Sequence, residues 1–242
     1  MKTSKGDVVY TPPQTGEEVA KYMSNLEKYI NTQELQDIDP LIKMAIIHHQ
    51  FESIHPFYDG NGRTGRIISI LYLVMNDLLD LPILYLSRYI THNKSEYYRL
   101  IQEIRDTAPD NFNVWEEWIV FMLKGVEETA IETIRLVKSI SALMAKYKSI
   151  LKPLFGKQYK HELINNLFFH PYTKIEFMER DMAVQRKTAA KYLDTIVQET
   201  GLLQKQKLGR SNYYINTELI ELFMLRGGND NDVKNVIESV NA

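Results

Sequence analysis

The sequence predicts a mainly α protein, in which a large helical region is followed by a small domain of helices and strands. Two observations predict this class. Apolar residues recur at helical spacing through most of the chain up to Ile150. The composition changes at Lys152-Pro153, and a pair of β-type segments follows at 202–207 and 212–215. With 242 residues, of which 44% are hydrophobic and 25% charged, the chain is long enough for one large or two modest domains.

Three helices account for the first part of the helical region. The first, at 15–30, opens with Thr15 and Glu18 at the spacing of a capping box. The second begins at Asp39-Pro40, an N-cap followed by proline in the first turn, and leads toward Ser53. The third, at 64–79, is apolar on nearly every side. That pattern is typical of a helix buried all round, and we expect this one to be the central helix.

Further helices are predicted at 95–104 and 114–150. The second of these is so long that Gly125 is expected to mark a kink or a boundary between two helices. The change of composition after this region predicts a first domain at 1–155 and a second at 156–222, with a C-terminal tail at 223–242.

The composition excludes several functional classes. A formal net charge of -2 argues against a chain built as a whole to cover nucleic acid or an anionic membrane. Cysteine is absent, which excludes disulfides, Cys-ligated metals and thiol nucleophiles. No segment resembles a signal peptide or a membrane span, so a cytoplasmic location is expected.

The segment HPFYDGNGRTGR, at 55–66, contains residues that could bind a ligand or take part in a reaction. Gly60-Asn61-Gly62 leads into a helix, whose free backbone N–H groups and positive dipole end favour an anion. Arg63 and Arg66 lie three residues apart and can reach the same side of the helix start. Glycines and arginines in this arrangement predict a binding site for a multiply charged phosphate chain.

Asp59 and His55 add a metal ligand and a base to this predicted site. A carboxylate next to phosphates is repelled unless a hard cation bridges them, so Asp59 is predicted to share Mg²⁺ with phosphate oxygens. His55 is the neutral base nearby. His48, Glu52 and His55 also lie at helical spacing, as metal ligands can, but His48 is expected to pack or to form hydrogen bonds.

The segment resembles the loop of the Fic family, H-x-F-x-[DE]-G-N-G-R-x-x-R, at every fixed position. The matching residues are His55, Phe57, Asp59, Gly60, Asn61, Gly62, Arg63 and Arg66. The resemblance extends from Val8 to about Leu123, roughly half of the chain. It implies an all-helical Fic core with a short N-terminal β flap at about 6–13, so that 1–155 is the catalytic domain.

By this resemblance the protein is an adenylyltransferase, which transfers AMP from ATP to a Tyr, Thr or Ser hydroxyl of a target protein and releases pyrophosphate. His55 is then the general base and Asp59 the Mg²⁺ ligand. The implied phosphate-binding residues are Gly60, Asn61, Gly62, Arg63 and Arg66. The implied nucleoside contacts are Tyr97 and Tyr98. The flap residues Val8, Val9 and Tyr10 would dock the main chain of the target by strand addition.

Many Fic proteins carry a regulatory helix with the pattern [ST]-x-x-x-E-[GN], and no stretch of this sequence matches it. We expect either an unrestrained enzyme or an inhibitory segment supplied by a preceding part of the protein or by a separate protein. Two other functions remain open. In the first, the chain is a DNA-binding regulator with a nucleotide-sensing first domain. In the second, it is a Fic enzyme whose activity is another phosphate-transfer reaction or the removal of AMP.

The region 161–216 resembles a winged helix-turn-helix domain, which follows the catalytic domain in some Fic proteins. Between Gln185 and Arg210 there are six basic and two acidic residues, which favours contact with DNA phosphates. Target docking or a structural role is the alternative. The residues expected to face DNA are Gln185, Arg186, Lys187, Thr188 and Lys191 on the basic helix, with Lys205, Lys207 and Arg210 on the wing.

Overall fold

The computed structural model of the protein describes residues 10–32, 37–107 and 112–225. The predicted mainly α class is confirmed, since the described residues form ten α-helices, one short 3₁₀ helix and one three-stranded sheet. The chain divides into two compact units, Met1–Thr133 and Ile134–Ala242. This division falls inside a long helix, ahead of the domain boundary at 155/156 that the sequence predicts.

The first unit contains five helices and the start of a sixth. They are α1 (Gly16–Asn31), α2 (Pro40–Ile54), α3 (Asn61–Met75), α4 (Leu86–His92), α5 (Lys94–Asp106) and α6 (Phe112–Phe155). The predicted capping box is present at α1, where the Thr15 hydroxyl accepts a hydrogen bond from the Glu18 N–H at 3.2 Å and the Glu18 carboxylate accepts one from the Thr15 N–H at 3.3 Å. At α2, the Asp39 carboxylate accepts from the Leu41 N–H at 2.8 Å.

The buried central helix is α2 and not α3 as the sequence predicts. Met44, Ala45 and Ile47 of α2 are 0% exposed. In α3, by contrast, Ile67 and Leu71 are each more than half exposed. The prediction for α3 was wrong because periodicity cannot tell which side of an evenly apolar helix meets the core. Its buried residues are Asn61, Gly65, Ser69, Tyr72 and Leu73.

Gly125 does not end a helix, because α6 continues through it from Phe112 to Phe155. The predicted helix boundary at this position was therefore wrong. A Cβ atom at Gly125 would lie 2.7 Å from Cδ1 of Tyr89. The glycine thus serves close packing of the Tyr89 ring against α6, and not a break in the helix.

The second unit contains the rest of α6 and all of the β-structure that is described. After a 3₁₀ helix at Gly156–Gln158 come α7 (His161–Phe169), β1 (Tyr172–Thr173), α8 (Ile175–Met182), α9 (Arg186–Thr200), β2 (Gln204–Leu208), β3 (Ser211–Ile215) and α10 (Thr217–Leu225). The sheet is antiparallel in the order β1-β3-β2. The predicted tail at 223–242 was wrong at its start, since α10 continues to Leu225.

The core of the second unit forms around Tyr147 of α6, which is fully buried. Its hydroxyl lies 2.7 Å from the Leu202 carbonyl oxygen and 2.8 Å from Oδ1 of Asn216. These contacts attach both ends of the β2–β3 hairpin to the helix. In the described ranges, no helix is both long enough and apolar enough to cross a membrane.

Candidate active site

The predicted loop residues lie together in one cavity of about 390 Å³ within the first unit. It forms between the end of α2, the start of α3, and helices α4 and α5. The lining residues are Glu52, His55, Tyr58, Asp59, Gly60, Asn61, Gly62, Arg63, Arg66, Ile90, Thr91, Lys94, Tyr97 and Tyr98. A larger cavity, of about 540 Å³, includes Tyr10 and Arg105 but none of the residues of the 55–66 loop.

The loop turns sharply at two left-handed positions. His55 ends α2 with φ 51° and ψ 56°, and its N–H donates to the Phe51 carbonyl oxygen at 3.0 Å. Gly60 precedes α3 with φ 87°. Only glycine adopts such a backbone conformation without strain, so His55 is held there by its surroundings. The two turns direct the chain from α2 into α3 and bring both helix ends to the cavity.

The side chain of Asn61 holds the loop closed. Its Nδ2 donates to the Phe57 carbonyl oxygen at 2.6 Å, and its Oδ1 accepts from the Phe57 N–H at 2.9 Å. Asn61 is 3% exposed. Because both polar groups of the side chain are engaged, any contact between Asn61 and a phosphate falls to its backbone N–H.

The first turn of α3 is open to an anion. Among the described residues, no side chain caps this helix end at Gly60. The N–H groups of the first turn therefore remain available, and the helix dipole adds positive potential at the same place. This geometry fits the predicted phosphate-binding role of Asn61 and Gly62, whereas the Gly60 N–H donates to Oδ1 of Asp59 at 2.6 Å.

Asp59 and Arg63 form an exposed ion pair at the mouth of the cavity. Nη2 of Arg63 lies 3.2 Å from Oδ2 of Asp59, with side chains 73% and 85% exposed. Such pairs contribute at most about 1 kcal/mol, so a phosphate and a cation can replace it at little cost. In the ranges described, no group of three or more His, Cys, Asp or Glu residues could hold a metal ion. A single carboxylate fits Mg²⁺, which completes its coordination with phosphate oxygens and water.

His55 has the properties of a neutral base. It is half-buried, and burial lowers the pKa of its imidazole below the ordinary 6.5. Its Nδ1 is buried and has no hydrogen-bond partner of good geometry in the described structure, although the nearby Glu52 carbonyl oxygen opposes part of the pKa shift. The ring is therefore neutral near pH 7 and able to accept a proton.

His48 is a structural residue rather than a metal ligand. Its Nδ1 lies 3.0 Å from Oγ of Ser69, and its Nε2 lies 2.9 Å from the hydroxyl of Tyr97. Burial lowers its pKa to about 4. Since both ring nitrogens are occupied, the spacing of His48, Glu52 and His55 does not produce a metal site.

The two tyrosines that the resemblance assigns to the nucleoside differ in their exposure. Tyr97 is 3% exposed and its hydroxyl is bonded to His48, whereas Tyr98 is 51% exposed. A free aromatic face for a nucleoside is thus offered mainly by Tyr98. Lys94 also lines the cavity and lies 6.0 Å above the Tyr98 ring. Sequence reasoning missed Lys94, because it is distant from the loop in the chain and belongs to no motif.

Tyr10 and the predicted DNA-facing residues do not line this cavity. Val8 and Val9 fall outside the described residues, and residues 10–13 contain no strand. Tyr10 is described, and its hydroxyl donates to the Ser53 carbonyl oxygen at 2.9 Å. The predicted DNA-facing residues all belong to the second unit.

Comparisons with known proteins find the Fic family at the same part of the chain as this loop. Residues 2–73 match the Fic/DOC family. Residues 143–219 match the C-terminal domain of SoFic-like protein adenylyltransferases. Residues 2–73 of this chain therefore resemble the Fic/DOC family.

Several relatives are named as protein adenylyltransferases. A probable protein adenylyltransferase of Aquifex aeolicus (strain VF5) is 48% identical over 71 residues, which cover 29% of this chain and 20% of that protein. Protein adenylyltransferase Fic of Drosophila erecta is 37% identical over 70 residues, 29% of this chain and 13% of that protein. The matches thus span a fifth or less of these relatives. A solved structure of a Fic family protein from Desulfovibrio desulfuricans G20 aligns with a TM-score of 0.43 and 20% identity over 84% of this chain and 56% of that one.

Proposed function

We propose that this protein is an adenylyltransferase that transfers AMP from ATP to a hydroxyl side chain of a target protein. One observation carries the proposal. A neutral imidazole, an uncapped helix N-terminus, an exposed carboxylate and two arginines line a single cavity. The family matches at 2–73 and 143–219 and the names of the relatives support it.

The phosphates of ATP would occupy the start of α3. The N–H groups of Asn61 and Gly62 bind phosphate oxygens, and the Gly60 N–H joins them once it leaves Oδ1 of Asp59. Arg63 and Arg66 bind the outer phosphates. When bound, Mg²⁺ held by Asp59 and phosphate oxygens supplies positive charge against the leaving pyrophosphate. The exposed pair of Asp59 with Arg63 exchanges for these contacts when nucleotide arrives.

His55 would take the proton of the attacking hydroxyl. The hydroxyl oxygen forms a bond to the α-phosphorus, the bond from that phosphorus to the bridging oxygen breaks, and pyrophosphate leaves. General-base assistance of this kind contributes about 10² to 10⁴ in rate. The remaining rate enhancement comes from positioning and from the charges around the phosphates. A Tyr, Thr or Ser side chain would serve as acceptor, and the segment with Val8, Val9 and Tyr10 would dock the main chain of the target.

The test is transfer of label from α-labelled ATP to protein in the presence of Mg²⁺. We expect labelling of the protein itself or of a lysate protein, and its loss in His55→Ala. His92→Ala is the matched control, because His92 is an exposed histidine outside the cavity. The mass added to the labelled protein separates adenylyl transfer from phosphoryl transfer. Equal labelling by His55→Ala and the wild type would refute the proposal.

DNA binding by the second unit is a second candidate function. Here α8, a turn at Ala183 with φ 50°, and α9 have the order of a helix-turn-helix, and β2 and β3 have the position of a wing. At the start of α9 the exposed Arg186, Lys187 and Lys191 form no ion pair with another described residue. Lys205, in contrast, is bonded to Asp194 at 2.7 Å.

Duplex binding would test this candidate. We expect the affinity to fall steeply with salt and to weaken about equally for all sequences in Arg186→Ala and Lys187→Ala, as phosphate contacts require. Lys205→Ala should weaken binding less, because its ammonium group is already paired. Unchanged binding in the α9 variants would exclude this surface.

A further inference from the structure

Glu52 of α2 is a buried acid in the cavity with an unpaired oxygen. The residue is 6% exposed, and its Oε1 is buried without a hydrogen-bond partner in the described structure. Burial raises the pKa of its carboxyl group, while the charges of Arg66 and Arg105 act in the opposite direction. An ionised carboxylate at such a place is costly unless a donor reaches it.

A donor without a partner lies beside it. Nε of Arg66 is also buried and unpaired in the structure as described. The two side chains meet over Gly62, where a Cβ atom would lie 3.1 Å from Nη1 of Arg66 and 3.4 Å from Oε1 of Glu52. No hydrogen bond joins the two groups in the described structure, so contact between them requires a change of side-chain rotamer.

The other nearby cation is already bound elsewhere. Nη2 of Arg105 donates to the Glu52 carbonyl oxygen at 2.9 Å, and its Nε donates to Oγ of Ser53 at 3.1 Å. Arg105 therefore fixes the backbone at Glu52. Arg63 is directed to Asp59 at the exposed mouth of the cavity. Among the described arginines near Glu52, Arg66 is the one left for its carboxylate.

We propose that Glu52 is a positioning residue, which binds the Nε edge of Arg66 and so presents the opposite Nη edge to the outer phosphates of ATP. The proposal rests on the proposed function, since it assigns a phosphate to Arg66. A guanidinium group has two donor edges in one rigid plane, so a carboxylate on one edge fixes the direction of the other. Pairing also neutralises Glu52, which would otherwise repel the phosphates.

The test is equilibrium binding of ATP and of AMP to variants in a His55→Ala background, where no transfer occurs. Glu52→Ala should weaken ATP binding about tenfold or more, as expected for loss of a charge-assisted hydrogen bond, and change AMP binding less than about twofold. AMP is the decisive comparison because it lacks the outer phosphates. Gln50→Ala, an exposed α2 residue outside this cavity, is the matched control and should leave both affinities unchanged.

A double-mutant cycle completes the test. If Glu52 acts through Arg66, then Glu52→Ala adds no further loss to Arg66→Ala. Glu52→Gln, which keeps the size of the side chain, should lose part of the ATP affinity and carries the test if Glu52→Ala fails to fold. Equal weakening of ATP and AMP, or additive losses with Arg66→Ala, would overturn the proposal. Nucleotide binding does not depend on AMP transfer. If the wild-type protein labels no protein but the variants show this binding pattern, the proposed function is refuted and the positioning role of Glu52 is not.

Discussion

Replacing Asn61 by alanine should loosen the loop that forms the cavity. The change removes two hydrogen bonds to the backbone of Phe57, at 2.6 and 2.9 Å. Each contributes about 1 kcal/mol net, and an unpaired buried group costs about 1–3 kcal/mol more. Because Phe57 as a whole residue is 50% exposed, water can reach part of this backbone. We therefore expect a loss of about 2–3 kcal/mol of unfolding free energy.

Denaturant unfolding followed by tryptophan fluorescence measures this loss in the right part of the chain. The sequence has two tryptophans, Trp115 and Trp118, and both lie in the first unit. Asn76→Ala is the matched control, since that asparagine follows the other end of α3 and makes one such bond, to the Tyr72 carbonyl oxygen at 2.7 Å. It should cost about 1 kcal/mol. A cost for Asn61→Ala no larger than for Asn76→Ala would refute the reasoning.

Three further predictions follow from the same unit. Gly125→Ala should lower the unfolding free energy by about 1–3 kcal/mol, because its Cβ atom would collide with the Tyr89 ring. Alanine has the better helix propensity, so a stabilised variant would contradict the packing described. As the pH falls, the labelling rate should decrease only below the ordinary histidine pKa of 6.5, because burial lowers the pKa of His55 and only the neutral ring accepts a proton. A midpoint above 6.5 would contradict this prediction. Tyr98→Ala should weaken AMP binding by roughly 1–3 kcal/mol, as for loss of aromatic stacking, whereas Tyr97→Phe should destabilise the fold and spare AMP binding.

The sequence could predict the parts of the site that are local in the chain. The capping box at Thr15 and Glu18 and the N-cap at Asp39 involve residues a few positions apart, so their spacing was sufficient. The cavity residues at 55–66 form one uninterrupted segment at the junction of two helices. Its glycines and charged residues could therefore be recognised as a site from the sequence alone.

The parts that the sequence could not predict depend on contacts between distant segments. The role of Gly125 is set by Tyr89, a residue of another helix. Which of two adjacent tyrosines is free depends on His48, 49 positions before Tyr97. The two-residue strand β1 carries no pattern of its own and exists through its pairing with β3. The unpaired oxygen of Glu52 likewise depends on how α2 packs against α3.

The most direct test of the account is a crystal structure with Mg²⁺ and an ATP analogue that resists transfer. The account predicts that the α-phosphate faces the imidazole of His55, that the outer phosphates contact Arg63 and Arg66, and that the cation bridges Asp59 and phosphate oxygens. A nucleotide bound with its phosphates away from the start of α3, or with the ring of His55 directed out of the cavity, would contradict it.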